Sequence, residues 1–112
     1  MNIIKNYPAE IEKRELVKMI KSPNTHKVSD MDGAVITIEK WVIFEDTDQK
    51  TGEIKKVLIL KTIDDELVGT ISPTFINEFE SYVDIIGDDL GSIQIVTGES
   101  KAGRKYVTMA LA

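Results

Sequence analysis

ISPTFINEFESYVDIIG, residues Ile71–Gly87, is the stretch on which the fold turns. Ser72 is a favourable N-cap residue, and the fixed φ of Pro73 suits the first helical position, so a helix is expected to begin here. Phe75, Phe79, Tyr82, Val83 and Ile86 then recur at helical spacings, while Glu78, Glu80 and Asp84 take much of the remaining surface. The pattern predicts an amphipathic helix of about 14 residues, one face in a core and the end closed by Gly87.

Strand patterns flank this helix on both sides. In GAVITIEKWVIFE, Gly33–Glu45, residues Ala34, Ile36, Ile38, Val42 and Phe44 share one parity, and Val35, Thr37, Glu39, Trp41, Ile43 and Glu45 share the other. A strand of such length needs coiling or a bulge. IKKVLILKT and ELVGTIS follow as two more strands, separated by the polar turns EDTDQKTGE and IDDE. Beyond the helix, SIQIVT and KYVTMALA read as a final pair joined by GESKAG. Near the start, PAEIEKRELVKMIK predicts a shorter helix with acids early and lysines late, ended by Ser22 and Pro23. NTHKVSDMDG reads as a loop or extended arm. The fold expected from this order is mostly β: an OB-like five-stranded barrel with a helix between strands 3 and 4 and an additional N-terminal helix. A split α+β sheet is the competing arrangement. Residues 1–32 are expected to be an N-terminal helical extension and arm, and residues 33–112 the barrel domain.

Composition narrows the chemistry. The chain has 112 residues, one domain's worth, with 42% hydrophobic and only 6% aromatic content, so its core must rest on Ile, Val and Leu. There is no cysteine and only one histidine, His26, which excludes disulfides and thiol chemistry and leaves no transition-metal site. No segment approaches the length of an uninterrupted apolar membrane span, so a cytoplasmic location without membrane contact is expected. The formal charge of −5 argues by itself against an acidic partner, but the charge is unevenly distributed. Residues 73–100 hold six acidic side chains and no basic one, whereas residues 101–112 hold three basic side chains and no acidic one. A polyanion responds to the local field, within about 10 Å at ordinary ionic strength.

From about Gly33 to Ala112 the chain resembles a family of single-stranded DNA-binding proteins encoded by phages of Gram-positive bacteria, including the small phages with protein-primed replication. The matching features are the GAVITIEKWVIF strand, the strand-turn-strand ending in VGTIS, the TFINEFESYVDII helix and IQIVTGESKAGRKYVTMALA. The resemblance implies an OB-like fold and sequence-indifferent protection of single-stranded DNA during phage DNA replication in the host cytoplasm, without catalysis or cofactor. Single-stranded DNA is the expected partner, with a second copy of the chain and replication proteins as further ones.

Strand parity selects the candidate contacts. Val107, Met109 and Leu111 should face the core together with Lys105, leaving Arg104 and Tyr106 on the opposite side of the last strand. Tyr106 can stack on a base, and Arg104, with Lys101 in the preceding loop, can meet phosphates. Lys105 is expected at the rim, its ammonium reaching water. Gly98 and Gly103 are expected to supply turn geometry. Trp41, on the less apolar parity of its strand, is a second candidate stacking platform; the competing expectation places it at the core rim. Lys50, Lys55 and Lys56 form a further basic cluster around the first hairpin loop, diluted by Glu45, Asp46, Asp48 and Glu53, and Lys40 and Lys61 are peripheral candidates. Asp64, Asp65 and Glu66 lie in a tight turn with no histidine or nucleophile beside them, which favours a solvated turn over two-metal chemistry. The competing function class is a small non-catalytic protein-interaction or regulatory module that uses the acidic helix and open strand edges.

Overall fold

The longest strand organises the molecule, and in a computed structural model describing residues 1–112 it meets three neighbours. The strands are β1 (Asn2–Tyr7), β2 (His26–Lys27), β3 (Val35–Thr47), β4 (Ile54–Thr62), β5 (Leu67–Thr70), β6 (Ser92–Glu99) and β7 (Lys105–Leu111). Helix α1 spans Lys13–Lys21 and α2 spans Pro73–Ile86. Strand β3 pairs antiparallel with β4 from Ile38 to Thr47, with β6 at Val35–Thr37 and with β1 at Trp41–Glu45. The resulting mostly-β sheet runs β2-β5-β4-β3-β6-β7, with β1 beside β3, and curls without closing.

A register shift between Ile38 and Lys40 sets the two faces of β3. An extra residue in one strand inverts the alternation beyond it. Ile36 and Ile38 before the shift, and Trp41 and Ile43 after it, therefore all enter the main core, whereas Val42 and Phe44 face the other side. Leu16 and Met19 of α1 cover that other side, against Val42, Phe44 and Ile59. The main core gathers Phe75, Ile76, Phe79 and Val83 of α2 with Leu58, Leu60, Ile93, Ile95, Val107 and Met109. Covered on both faces, Trp41–Phe44 form a continuous buried run. Alternation reports facing only where one side of a strand meets water.

Helix α2 begins as expected. Ser72 Oγ accepts from the Phe75 amide at 3.3 Å, and the helix ends at Gly87, whose φ of 112° disfavours other residues. Ile76 takes the buried position next to Phe75, while Ile86 is half exposed.

The expected fold needs three corrections. There are seven strands rather than five, the barrel is open, and residues 1–32 are not a separate extension. β1 joins the sheet alongside β3, and β2 lies parallel to β5 at His26–Val68 and Lys27–Gly69. Strand β2 holds the edge of β5 that a closing strand would occupy, and the 3-10 turn Val28–Asp30 sends Val28 into the main core at 1% exposure. Gly69 makes this approach feasible: a Cβ there would stand 2.9 Å from Thr25 Cγ2 and 3.0 Å from Ile59 Cδ1. No helix is long and apolar enough to cross a membrane.

Candidate nucleic-acid interface

The β6–β7 hairpin places Gly98 opposite Tyr106 and Glu99 opposite Lys105. Its turn is closed by the Ser100 amide donating to the Arg104 carbonyl at 2.8 Å and the Gly103 amide donating to the Ser100 carbonyl at 2.9 Å, with Ser100 Oγ accepting from the Arg104 amide at 3.2 Å. Gly103 has φ of 77°, the left-handed conformation the turn requires. Gly98 serves a different purpose. Its φ is ordinary, but the Tyr106 ring lies across it, and an added Cβ would come within 2.5 Å of Tyr106 Cζ. The absent side chain leaves room for a cross-strand ring over a glycine, a pairing that also shields the bare backbone.

Parity along β7 follows the sequence reading where packing is concerned. Val107 and Met109 are buried and Tyr106 stands on the opposite side with 43% of its surface exposed, but Leu111, expected in the core as well, is exposed at the strand's end. Lys101, Arg104 and Lys105 are all exposed, and none of them forms an ion pair. The hairpin thus brings one accessible aromatic and three cations outside any ion pair together at one end of the molecule, with Glu99 facing Lys105 across the ladder.

Tyr106 and Lys105 form one wall of a cleft of about 710 Å³. Ser29 of the 3-10 turn and the start of α2, from Ser72 to Thr74, contribute the opposing surface, with Glu99 its one carboxylate. The positive end of the α2 dipole therefore opens towards the cleft. The arm and the hairpin are held together by the Thr97 amide, which donates to Asp32 Oδ1 at 3.0 Å. That bond keeps the Asp32 carboxyl below the usual carboxylate range, with the Thr97 hydroxyl assisting and slight burial opposing. Around it the Gly33 amide donates to the Ile95 carbonyl, and the Ile95 amide to the Ala34 carbonyl, both at 2.8 Å.

The other sequence candidates fall elsewhere. Trp41 is 1% exposed, its Nε1 donates to the Asp88 carbonyl at 2.9 Å, and its ring meets the edge of Phe79 at 5.2 Å between centroids. The register shift in β3 turned it inward, so it offers no stacking platform. Lys56 is paired with Glu80 of α2 at 2.7 Å, and Lys55 lies opposite Asp46 in the β3–β4 ladder. Lys50 sits in the exposed β3–β4 turn, with its backbone amide bound to Asp48 Oδ1. Of the expected cluster only Lys56 is neutralised by an ion pair, while Lys50 and Lys55 are exposed and outside any ion pair. Lys40 and Lys61 are engaged as well, Lys40 with Glu15 at 2.5 Å and Lys61 with Asp65 at 3.2 Å and Glu15 at 3.5 Å. They fasten α1 to the sheet. The hydrogen bond from Lys40 holds the Glu15 carboxyl below its ordinary range against a smaller opposing effect of burial. Burial works against the charge of Lys61, but Asp65, Glu39 and Glu15 outweigh it and keep its pKa above the usual lysine value.

Sequence reading missed the arm's part in the site, because two strand residues followed by one 3-10 turn show no periodicity. The signal was Val28 and Met31, two apolar residues three apart in a polar segment. No group of three or more His, Asp or Glu side chains is placed to hold a metal ion. No family model, no curated protein and no solved structure matches the chain.

Proposed function

We propose that the chain is a non-catalytic single-stranded DNA-binding protein that covers exposed strands without reading their sequence, in the cytoplasm of a host cell during phage DNA replication. The observation that carries this reading is the co-location of Tyr106, open to solvent, with the unpaired Lys101, Arg104 and Lys105 beside a cleft. Aromatic stacking combined with phosphate neutralisation is the physics of sequence-tolerant strand binding. The element order supports an OB-like frame. From β3 onward the chain runs three strands, a helix and two strands, and β3 pairs with both β4 and β6. In such a frame β4 and β5 are the second and third strands, and the β6–β7 hairpin is the loop between the fourth and fifth, the places where OB folds hold oligonucleotides. The β1 and β2 strands are additions to that frame.

The testing experiment is anisotropy of a labelled oligo-dT titrated with the protein at low salt, beside a duplex of equal length. Micromolar or tighter binding of oligo-dT, reversed by salt and weakened by Tyr106→Ala, supports the proposal. Equal affinity for the duplex, or no binding at low salt, overturns it. A protein-interaction module is the second reading, favoured by the β1 strand, whose outer edge has no partner and whose Ile3 and Ile4 are exposed.

A further inference from the structure

A second cavity, of about 510 Å³, lies on the outer side of the sheet. Its floor is apolar, from Val57 and Ile59 of β4 and Ile71 just beyond β5, with Gly69 also lining it. Its wall is the arm, through Thr25, His26 and Lys27. Ser29, Ser72 and Val107 line both this groove and the Tyr106 cleft, so the two adjoin at the open seam of the sheet. In a chain with 19 acidic residues, not one lines this groove. An apolar floor bounded by a lysine and free of carboxylates suits a base and its sugar, with the phosphate at the rim.

We infer that single-stranded DNA continues from the Tyr106 cleft into this groove, so that the arm is part of the binding surface and Lys27 meets a phosphate there. The inference rests on the proposed function and adds the path of the strand. Three features carry it: the lining residues shared by the two cavities, the absence of carboxylates from the second, and the 57% exposure of Ile71 at its floor. The wall is firmly set, because Val28 next to it is fixed in the main core.

The experiment is a length series of oligo-dT, from roughly 3 to 16 nucleotides, the range over which single OB units fill their sites. It is measured for the wild type, Ile71→Glu, Lys27→Ala, Tyr106→Ala and a control, Ile85→Glu, placed on the exposed side of α2. Wild type and Ile85→Glu should gain affinity with length. Ile71→Glu should lose roughly tenfold or more of that gain, about 1.4 kcal/mol, by placing a carboxylate on the apolar floor beside the phosphate path. Lys27→Ala should make the salt slope on long oligonucleotides shallower by about 0.7, one phosphate's worth. Circular dichroism spectra of both variants matching wild type would exclude misfolding. If Ile71→Glu and Lys27→Ala bind long oligonucleotides as wild type does while Tyr106→Ala is weakened, the groove is not on the path and the proposed function stands. A wild type that binds no oligonucleotide at low salt takes both down.

Discussion

Gly98→Ala is the most discriminating single change in this protein. The backbone at Gly98 lies outside the left-handed region, so alanine meets no conformational penalty there and gains strand stability of about 0.5–1 kcal/mol over glycine. The cost comes from the ring opposite. A Cβ at position 98 would sit 2.5 Å from Tyr106 Cζ and 3.0 Å from Cε1, which forces the ring off the hairpin. A wholly enclosed aromatic residue buries on the order of 150–250 Å²; with a little over half of Tyr106 covered, a displacement that uncovers about half of that covered area, roughly 60 Å², costs about 1.5 kcal/mol. The net expectation is a loss of about 0.5–1 kcal/mol in the wild-type background. In a Tyr106→Ala background no ring remains to be displaced, and the same substitution should stabilise by about 0.5–1 kcal/mol. The sign reversal amounts to a coupling of about 1.5 kcal/mol, measurable by urea unfolding of the four proteins followed by Trp41 emission. Equal effects of Gly98→Ala in both backgrounds would refute the reasoning, since Gly98 would then serve the backbone and not the ring. If the displaced ring is the stacking surface, Gly98→Ala should also weaken oligo-dT binding towards the level of Tyr106→Ala, by roughly 1–3 kcal/mol.

Phe79→Ala should destabilise by about 3–5 kcal/mol, because Phe79 is fully buried and supports the Trp41 ring; calorimetry showing under 1 kcal/mol would contradict that packing. Deleting residues 1–32 should leave a chain without a cooperative unfolding transition, since it removes β1, β2 and the core residue Val28; a cooperatively folded remainder would restore the arm to the status of an appendage. Glu15 has a lowered folded-state pKa, so its contribution is present above the ordinary carboxylate range and is lost as pH falls through the folded value. Glu15→Gln should accordingly lower Tm near neutrality and flatten the acid limb of the stability curve; an unchanged limb would show that the Lys40 and Lys61 contacts add nothing. With three to five phosphates neutralised, oligo-dT binding should show a salt slope of roughly −2 to −3.5, and a slope near zero would remove the cations from the account.

How much of this was legible beforehand differs from element to element. Helix α2 was readable because its cap, its proline and its helical spacing are local signals that agree with one another. The inward set of β7, Val107 and Met109, was readable because one side of that strand meets solvent and alternation is preserved. Trp41 was misread because parity was carried through a bulge that no residue type announces. Gly98 was misread because a glycine beside a turn is ordinarily explained by the turn, whereas here its cause stands on the partner strand. Lys56 and Lys40 looked available because their carboxylate partners are distant in sequence, 24 residues away for Lys56–Glu80 and 25 for Lys40–Glu15, whereas Lys61 has a partner only four residues on, Asp65.

The sequence by itself determined both helices, the five strands β3 to β7 in their order and the exposed basic-aromatic edge of the last strand, all of which follow from interactions within a few residues along the chain, but not β1 or β2. Tertiary structure alone decided which cations remain free, where the indole goes, and that the arm holds the seam open and builds a wall of the groove. Those outcomes depend on contacts between residues far apart in the chain, and local periodicity carries no record of which distant segment will arrive to make them.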